Sequence, residues 1–230
     1  MTLQSIASNI AAVRREIAAA ADACGRDPED VELIAVSKTQ PAAAVRTAAA
    51  AGCRSFGENY PVEAAAKQDD LGDLDVTWHY IGAIQANKTR ILASRFAWVH
   101  TVARAKIARR LSEQVEQGHT LNVCLQVNVD RDPNKAGVDP AEAAELLAEV
   151  RALPNLRVRG LMTILHPESP ARAGYERLAE IFHTLRAVAP EPWDTLSMGM
   201  SADYRDAIAA GATHVRVGSA IFGARPARMP

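Results

Sequence analysis

Lys38 follows directly on a short apolar run, Val31 to Ser37 (VELIAVS), and Pro41 opens the next helical stretch three residues later. That order places its amine at the mouth of a buried strand. Desolvation penalises an ammonium ion and lowers its pKa towards the neutral amine that attacks carbonyl groups. The competing reading is a strand-end lysine whose long stem carries the charge out to water. The strand alone does not separate the two.

Two glycine-bearing segments follow the last two strand candidates: Ser197-Met198-Gly199-Met200-Ser201, then Gly218-Ser219, which leads into a short turn over 220–223. Each by itself is ordinary loop chemistry. In barrels of eight parallel strands, however, these two loops and a short following helix often build a phosphate site. Glycine lets the backbone approach an anion, N–H groups at a helix start point at it, and Ser201 and Ser219 add hydroxyl donors without bulk. On the eighth strand His214, Arg216 and Gly218 share one face, and on the first Lys38 shares parity with Ile34 and Val36. Closure of the sheet therefore brings Arg216 beside Lys38. A permanent guanidinium, an amine and an anion cup at one rim describe a site for a phosphorylated aldehyde or ketone, with Lys38 forming the Schiff base. The guanidinium's field also disfavours protonation of Lys38. The alternative for Arg216 is a salt bridge to Asp203 or Glu58.

These groups need a scaffold, and the chain supplies eight short β-branched runs: 33–37, 55–56, 77–81, 98–101, 122–129, 157–164, 195–197 and 213–217. Helical stretches rich in Ala, Leu, Glu and Arg begin near Ala42, Val62, Asn87, Ala105, Pro140, Ala173 and Ala202. Ahead of them Leu3, Ile6, Ile10, Val13 and Ile17 recur at helical spacing, so the chain opens with an extra amphipathic helix that Asp27 and Pro28 stop. No linker or composition shift divides the sequence. The fold expected is α/β, a single (β/α)8 TIM-type barrel over residues 1–230, with a doubly wound open sheet as competitor.

Composition excludes more than it names. With 230 residues and 48% hydrophobic content the chain can bury a substantial core. A net charge of -1 and the lack of a basic tract give no reason to expect nucleic acid. No stretch is long and apolar enough to span a bilayer, and Arg14, Arg15 and Glu16 interrupt the first segment where a signal peptide needs an apolar core. Cys24, Cys53 and Cys124 are odd in number and far apart, which suits reduced thiols in a cytoplasmic protein rather than disulfides or a metal site.

The segments AVSKTQP (Ala35 to Pro41), FGENY (Phe56 to Tyr60), WHYIGAIQANK (Trp78 to Lys88), GLMTI (Gly160 to Ile164), LSMGMSADY (Leu196 to Tyr204) and VRVGSAIFGAR (Val215 to Arg225) resemble those of the pyridoxal phosphate homeostasis proteins, the YggS/PROSC group. The resemblance runs over nearly the whole chain. It implies a barrel similar to the N-terminal domain of alanine racemase, with pyridoxal 5'-phosphate carried as a Schiff base on Lys38. By the same resemblance the phosphate contacts fall on Met200, Ser201, Gly218 and Ser219, and Arg216 stands near the pyridine nitrogen. Asn59 has two readings, a contact to a ring oxygen or the Lys38 neighbourhood, and a turn former. His79 reads more readily as a satisfied structural histidine. Asn87 reads as well as a helix cap as a ligand group, and Met162 and Met198 as packing near the ring.

Pyridoxal enzymes that draw electrons into the ring usually give its nitrogen an acidic partner. An arginine there does the reverse. The resembling racemases also use a second acid/base from an added β-domain and a partner subunit, for which a chain ending at Pro230 leaves no residues. The resemblance thus implies a monomeric binder that buffers or delivers the cofactor to pyridoxal phosphate-dependent apoenzymes without turning over amino acids. A racemase or decarboxylase of the same fold, and a Schiff-base aldolase, are the alternatives.

Overall fold

A computed structural model of the chain describes residues 3–223, with side chains from Ser5 onward. Ala224 and Arg225 of the last motif, and the Leu3 side chain, lie outside the described residues. Eight strands close in sequence order into a parallel barrel: β1 (Glu32–Val36), β2 (Ser55–Glu58), β3 (Thr77–Tyr80), β4 (Trp98–Val102), β5 (Leu121–Gln126), β6 (Leu156–Met162), β7 (Thr195–Met200) and β8 (His214–Val217). Helices α1 (Leu3–Asp22), α2 (Ala42–Ala50), α3 (Pro61–Asp70), α4 (Thr89–Arg95), α5 (Ala105–Ser112), α6 (Ala143–Arg151), α7 (Ala171–Leu185), α8 (Tyr204–Ala209) and α9 (Ser219–Phe222) surround it. β1 pairs with β8 in the register Glu32↔His214 and Ile34↔Arg216. The open-sheet alternative is thereby excluded.

Alternation along each strand divides two cores. Ala35, Phe56, Tyr80, Val99 and Leu161 point outwards into the apolar layer under the helices, where burial contributes about 1.5–3 kcal/mol for each large side chain. Trp98, Cys124 and Met162 pack on one another inside the barrel. Ile6, Ile10, Val13 and Ile17 of α1 are buried in the outer layer, and α1 lies against α2, α8 and α9, beside the β1–β8 closure. The Asn9 amide donates to the Ile221 carbonyl, and the Tyr204 hydroxyl bonds Glu16. The extra helix thus braces the elements that follow the last two strands.

β7 runs to Met200, three residues beyond the expected end at Ser197. Gly199 explains the extension: at φ 90° it bends the strand, and a Cβ there would stand 2.6 Å from the Ala207 Cβ and 2.9 Å from the Tyr204 Cα. Helix α8 can close on the strand only over a glycine. It begins at Tyr204, two residues later than expected. β6 ends at Met162, short of Ile164, and β5 stops short of Val129 because after Gln126 the backbone turns to bond Val138.

Candidate functional site

A cavity of about 310 Å3 opens at the carboxyl ends of the strands, where β1, β2, β3, β6, β7 and β8 converge. All seven residues singled out in the sequence line it: Lys38, Asn59, Met200, Ser201, Arg216, Gly218 and Ser219. Reading the residues also missed some of its wall. Gln40, Ile81, Ile164 and Phe222 are among the other residues of the lining; of these, Ile81 and Ile164 are apolar strand-end residues that no polar motif marks.

Lys38 lies two residues past β1, half-buried rather than fully buried. Arg216 is deeper, opposite Ile34 in the sheet and only 3% exposed. The two are therefore not side by side at the rim as expected; they face the same cavity from different depths. Neither expected carboxylate pairs with Arg216. Glu58 points out of the barrel to Lys67 at 2.6 Å, and Asp203 accepts from the Met200 N–H at 2.6 Å. Arg216 instead donates to the Ser197 hydroxyl at 2.9 Å and the Thr163 carbonyl at 2.8 Å.

A guanidinium only donates, so the Ser197 oxygen accepts from Arg216, and the same hydroxyl is hydrogen-bonded to His100 Nδ1, 2.8 Å away. His100 Nε2 is in turn hydrogen-bonded to His79 Nδ1 at 2.9 Å. Both rings are fully enclosed, and burial holds them well below the ordinary histidine range, with the Arg216 charge adding to the effect on His100. His79 is accordingly a structural residue beneath the cavity. Burial also lowers His214, against the raising influence of Glu32 and Asp194. These histidines take up protons near pH 6.5 when unfolded but resist them when folded, so stability falls as pH drops below about 6.5, by up to ~1.4 kcal/mol per pH unit for each. Melting temperature measured from pH 7.5 to 5 should show this decline, and His100→Asn should flatten it.

The side of the cavity formed by the loops after β7 and β8 is built around Ser201, whose Oγ accepts from the Gly218 N–H at 3.2 Å and lies 3.5 Å from the Ala220 N–H. Helix α9 starts at Ser219, so the expected turn is one helical turn of backbone whose first N–H groups face this hydroxyl. The Met200 amide is engaged by Asp203, leaving Met200 at the rim through its side chain, 37% exposed. After β2 the Asn59 Oδ1 is buried without a hydrogen-bond partner, which favours a ligand contact over a self-satisfied turn. Two other expectations fail. Asn87 caps no helix, since Gln85 and Lys88 hold the cap positions of the turn 86–88 and of α4. Met198 faces the outer layer, away from the cavity, whereas Met162 packs inside the barrel.

A closed parallel barrel with a lysine after its first strand and glycine- and serine-bearing loops after its last two places the chain in the alanine racemase N-terminal domain class, and the sequence profile of that family matches residues 3–226. Solved structures agree on the fold: an alanine racemase from Corynebacterium glutamicum superposes with TM-score 0.69 at 19% identity, over 99% of this chain and 63% of that one. More similar are the pyridoxal phosphate homeostasis proteins of Pseudomonas aeruginosa, 54% identical over 97% of both chains, and Escherichia coli, 48% identical over 97% of this chain and 98% of that one. PipY of Synechococcus elongatus, solved with PLP bound, superposes with TM-score 0.84 at 41% identity, over 95% of this chain and 100% of that one. The chain belongs to the pyridoxal phosphate homeostasis protein family.

Proposed function

We propose that this chain binds pyridoxal 5'-phosphate, with Lys38 as its Schiff-base lysine, and serves intracellular homeostasis of that cofactor by buffering it or delivering it to dependent apoenzymes. Bound there, the cofactor supplies an aldehyde that a primary amine can hold reversibly. The observation that carries the reading is the convergence of Lys38, Arg216 and the Ser201–Gly218 cup on one cavity. Its volume lies at the lower end of small-molecule sites, which span about 300–1,000 Å3. Ser201, Ser219 and the Gly218 backbone suit the phosphate, Met200 borders it, and the unpartnered Asn59 Oδ1 awaits a donor. Arg216, fixed by Ser197 and Thr163, would offer the ring nitrogen a cation and no proton acceptor.

Binding without turnover is the reading the lining supports. Among the described residues no carboxylate, histidine, tyrosine or cysteine lines the cavity, and moving a substrate proton calls for a second acid or base of that kind beside the lysine. The racemase match covers 63% of that longer chain, whereas the homeostasis relatives are matched almost end to end. We read residues 1–230 as one domain acting as a monomer in the cytoplasm, in keeping with three unpaired cysteines. No helix among the described residues is long and apolar enough to cross a membrane.

The test is direct. Protein incubated with pyridoxal 5'-phosphate should gain a visible absorption band, and borohydride reduction should add one cofactor mass to the peptide holding Lys38. An adduct mapped only to other lysines would refute the site, and racemisation or decarboxylation of amino acids dependent on Lys38 would refute the non-enzymatic reading. Ser201→Ala should weaken retention about tenfold or more in equilibrium dialysis, as expected for a hydrogen bond to a charged group of about 1.5–3 kcal/mol.

A further inference from the structure

The turn that carries Lys38 is held from behind by a buried ionic bracket. Lys67 of α3 is 6% exposed, and its ammonium donates to the Ser37 carbonyl at 2.8 Å, to Glu58 Oε1 at 2.6 Å and towards Glu63 Oε1 at 3.3 Å. All three of its protons are engaged. Glu58 Oε1 also accepts from the Ser37 hydroxyl at 2.6 Å, and Glu63 Oε1 accepts from the Thr39 N–H at 2.7 Å. The residues on either side of Lys38 are therefore each tied to a carboxylate, and both carboxylates are tied to one ammonium.

Two features are hard to explain as stabilisation alone. Glu58 is fully buried and its Oε2 has no hydrogen-bond partner, and a buried ion pair with incomplete hydrogen bonding is often no better for stability than apolar residues of the same volume. Thr39, a β-branched residue, is held in the left-handed region at φ 64°, a strained conformation that persists only where the surroundings over-determine it. The bracket supplies that constraint through the Thr39 N–H.

We propose that Lys67, with Glu58 and Glu63, is a positioning device that sets the Ser37-Lys38-Thr39 turn so that the Lys38 amine meets the cofactor in the cavity. The inference rests on Lys38 being the residue that bonds the cofactor. None of the three bracket residues lines the cavity, so their effect on binding is transmitted through the turn.

The experiment replaces the ion pair by apolar residues, Glu58→Leu with Lys67→Met, and compares wild type, the double variant, Lys67→Arg and Lys38→Ala. Each is given limiting pyridoxal 5'-phosphate, reduced with borohydride and read by peptide mass, with circular dichroism and melting temperature as folding controls. The double variant should melt cooperatively near the wild-type temperature yet form the Lys38 adduct about tenfold less, the order of loss expected for a displaced reacting group. The pH at which its visible band converts should shift as well, and Lys67→Arg should restore most of the adduct. A folded double variant with wild-type adduct yield and an unmoved pH conversion would overturn the proposal. Should the double variant not fold, Glu63→Ala carries the test, since it releases only the Thr39 tether and the edge of the bracket: about a threefold loss of adduct supports the proposal, and no loss overturns it. Absence of a Lys38 adduct in the wild type would instead remove the underlying reading, so the two failures are distinguishable.

Discussion

Lys38→Ala is expected to lose the visible band and the reducible adduct completely, while its melting temperature stays within the small range of a surface change. The side chain is half-buried at a turn beyond the end of β1, and substitutions of that kind usually alter stability by no more than about 0.5 kcal/mol. Binding is where the loss falls. The hydroxyl and backbone donors around Ser201 remain, so the variant should still retain the phosphorylated ligand non-covalently, about a hundredfold more weakly, equivalent to ~2.7 kcal/mol. Lys38→Arg separates charge from chemistry, because a guanidinium keeps the cation but cannot take the place of the amine. It should fail as completely as Lys38→Ala in the borohydride assay. A visible band of wild-type intensity in either variant would show that the amine is not the attachment point.

Gly160→Ala should cause the largest loss of stability. Gly160 pairs with Thr195 at the boundary of β6 and β7 and sits at the register shift between β5 and β6. A Cβ added there would lie 1.9 Å from the Thr195 carbonyl oxygen and 2.7 Å from its carbon. Backbone cannot yield as a flexible side chain would, so relief requires prising β6 from β7. We expect about 4 kcal/mol of destabilisation, at the diagnostic end of single substitutions, which lowers the melting temperature of a chain of this size by about 8–16 °C. Thermal or urea denaturation followed by circular dichroism reads it. The damage should reach the site as well, because Thr163 follows β6 and Ser197 lies on β7, and together they hold Arg216. A melting temperature within 2 °C of wild type, a margin set by the roughly 2–4 °C expected per kcal/mol, would show that the two strands have slack the structure does not suggest.

How these two residues were reached differs. Lys38 was legible because chemistry and position coincide in a short string: an apolar run, an amine, then a proline that starts the next helix. Gly160 belongs to a recognisable motif, yet its role depends on how near the Thr195 backbone comes, and no local pattern reports that distance. The same contrast holds through the cavity. Alternation on β8 put Arg216 on the inward face, but its acceptors, Ser197 and the Thr163 carbonyl, come from strands whose relative stagger appears only on closure. The carboxylates offered to Arg216 from the sequence were already engaged, Asp203 by the Met200 amide and Glu58 by Lys67. The bracket behind Lys38 left one faint trace, the four-residue spacing of Glu63 and Lys67 on α3. Such spacing is common on exposed helices and does not announce a buried lysine.

Read by itself, the sequence determined the eightfold alternation of strand and helix, the inward parity of Lys38 and Arg216, the glycine and serine loops after β7 and β8, and a family resemblance that the comparisons confirm. Those properties are local or periodic, and neighbouring residues suffice to encode them. Depth, partners and tethers were decided by the tertiary structure: that Arg216 lies below Lys38, that two neutral histidines extend its hydrogen bonds through Ser197, and that one ammonium ties both flanks of Lys38. They arise from barrel closure, which brings residues far apart in the chain within 3 Å of one another by a stagger that no single segment contains.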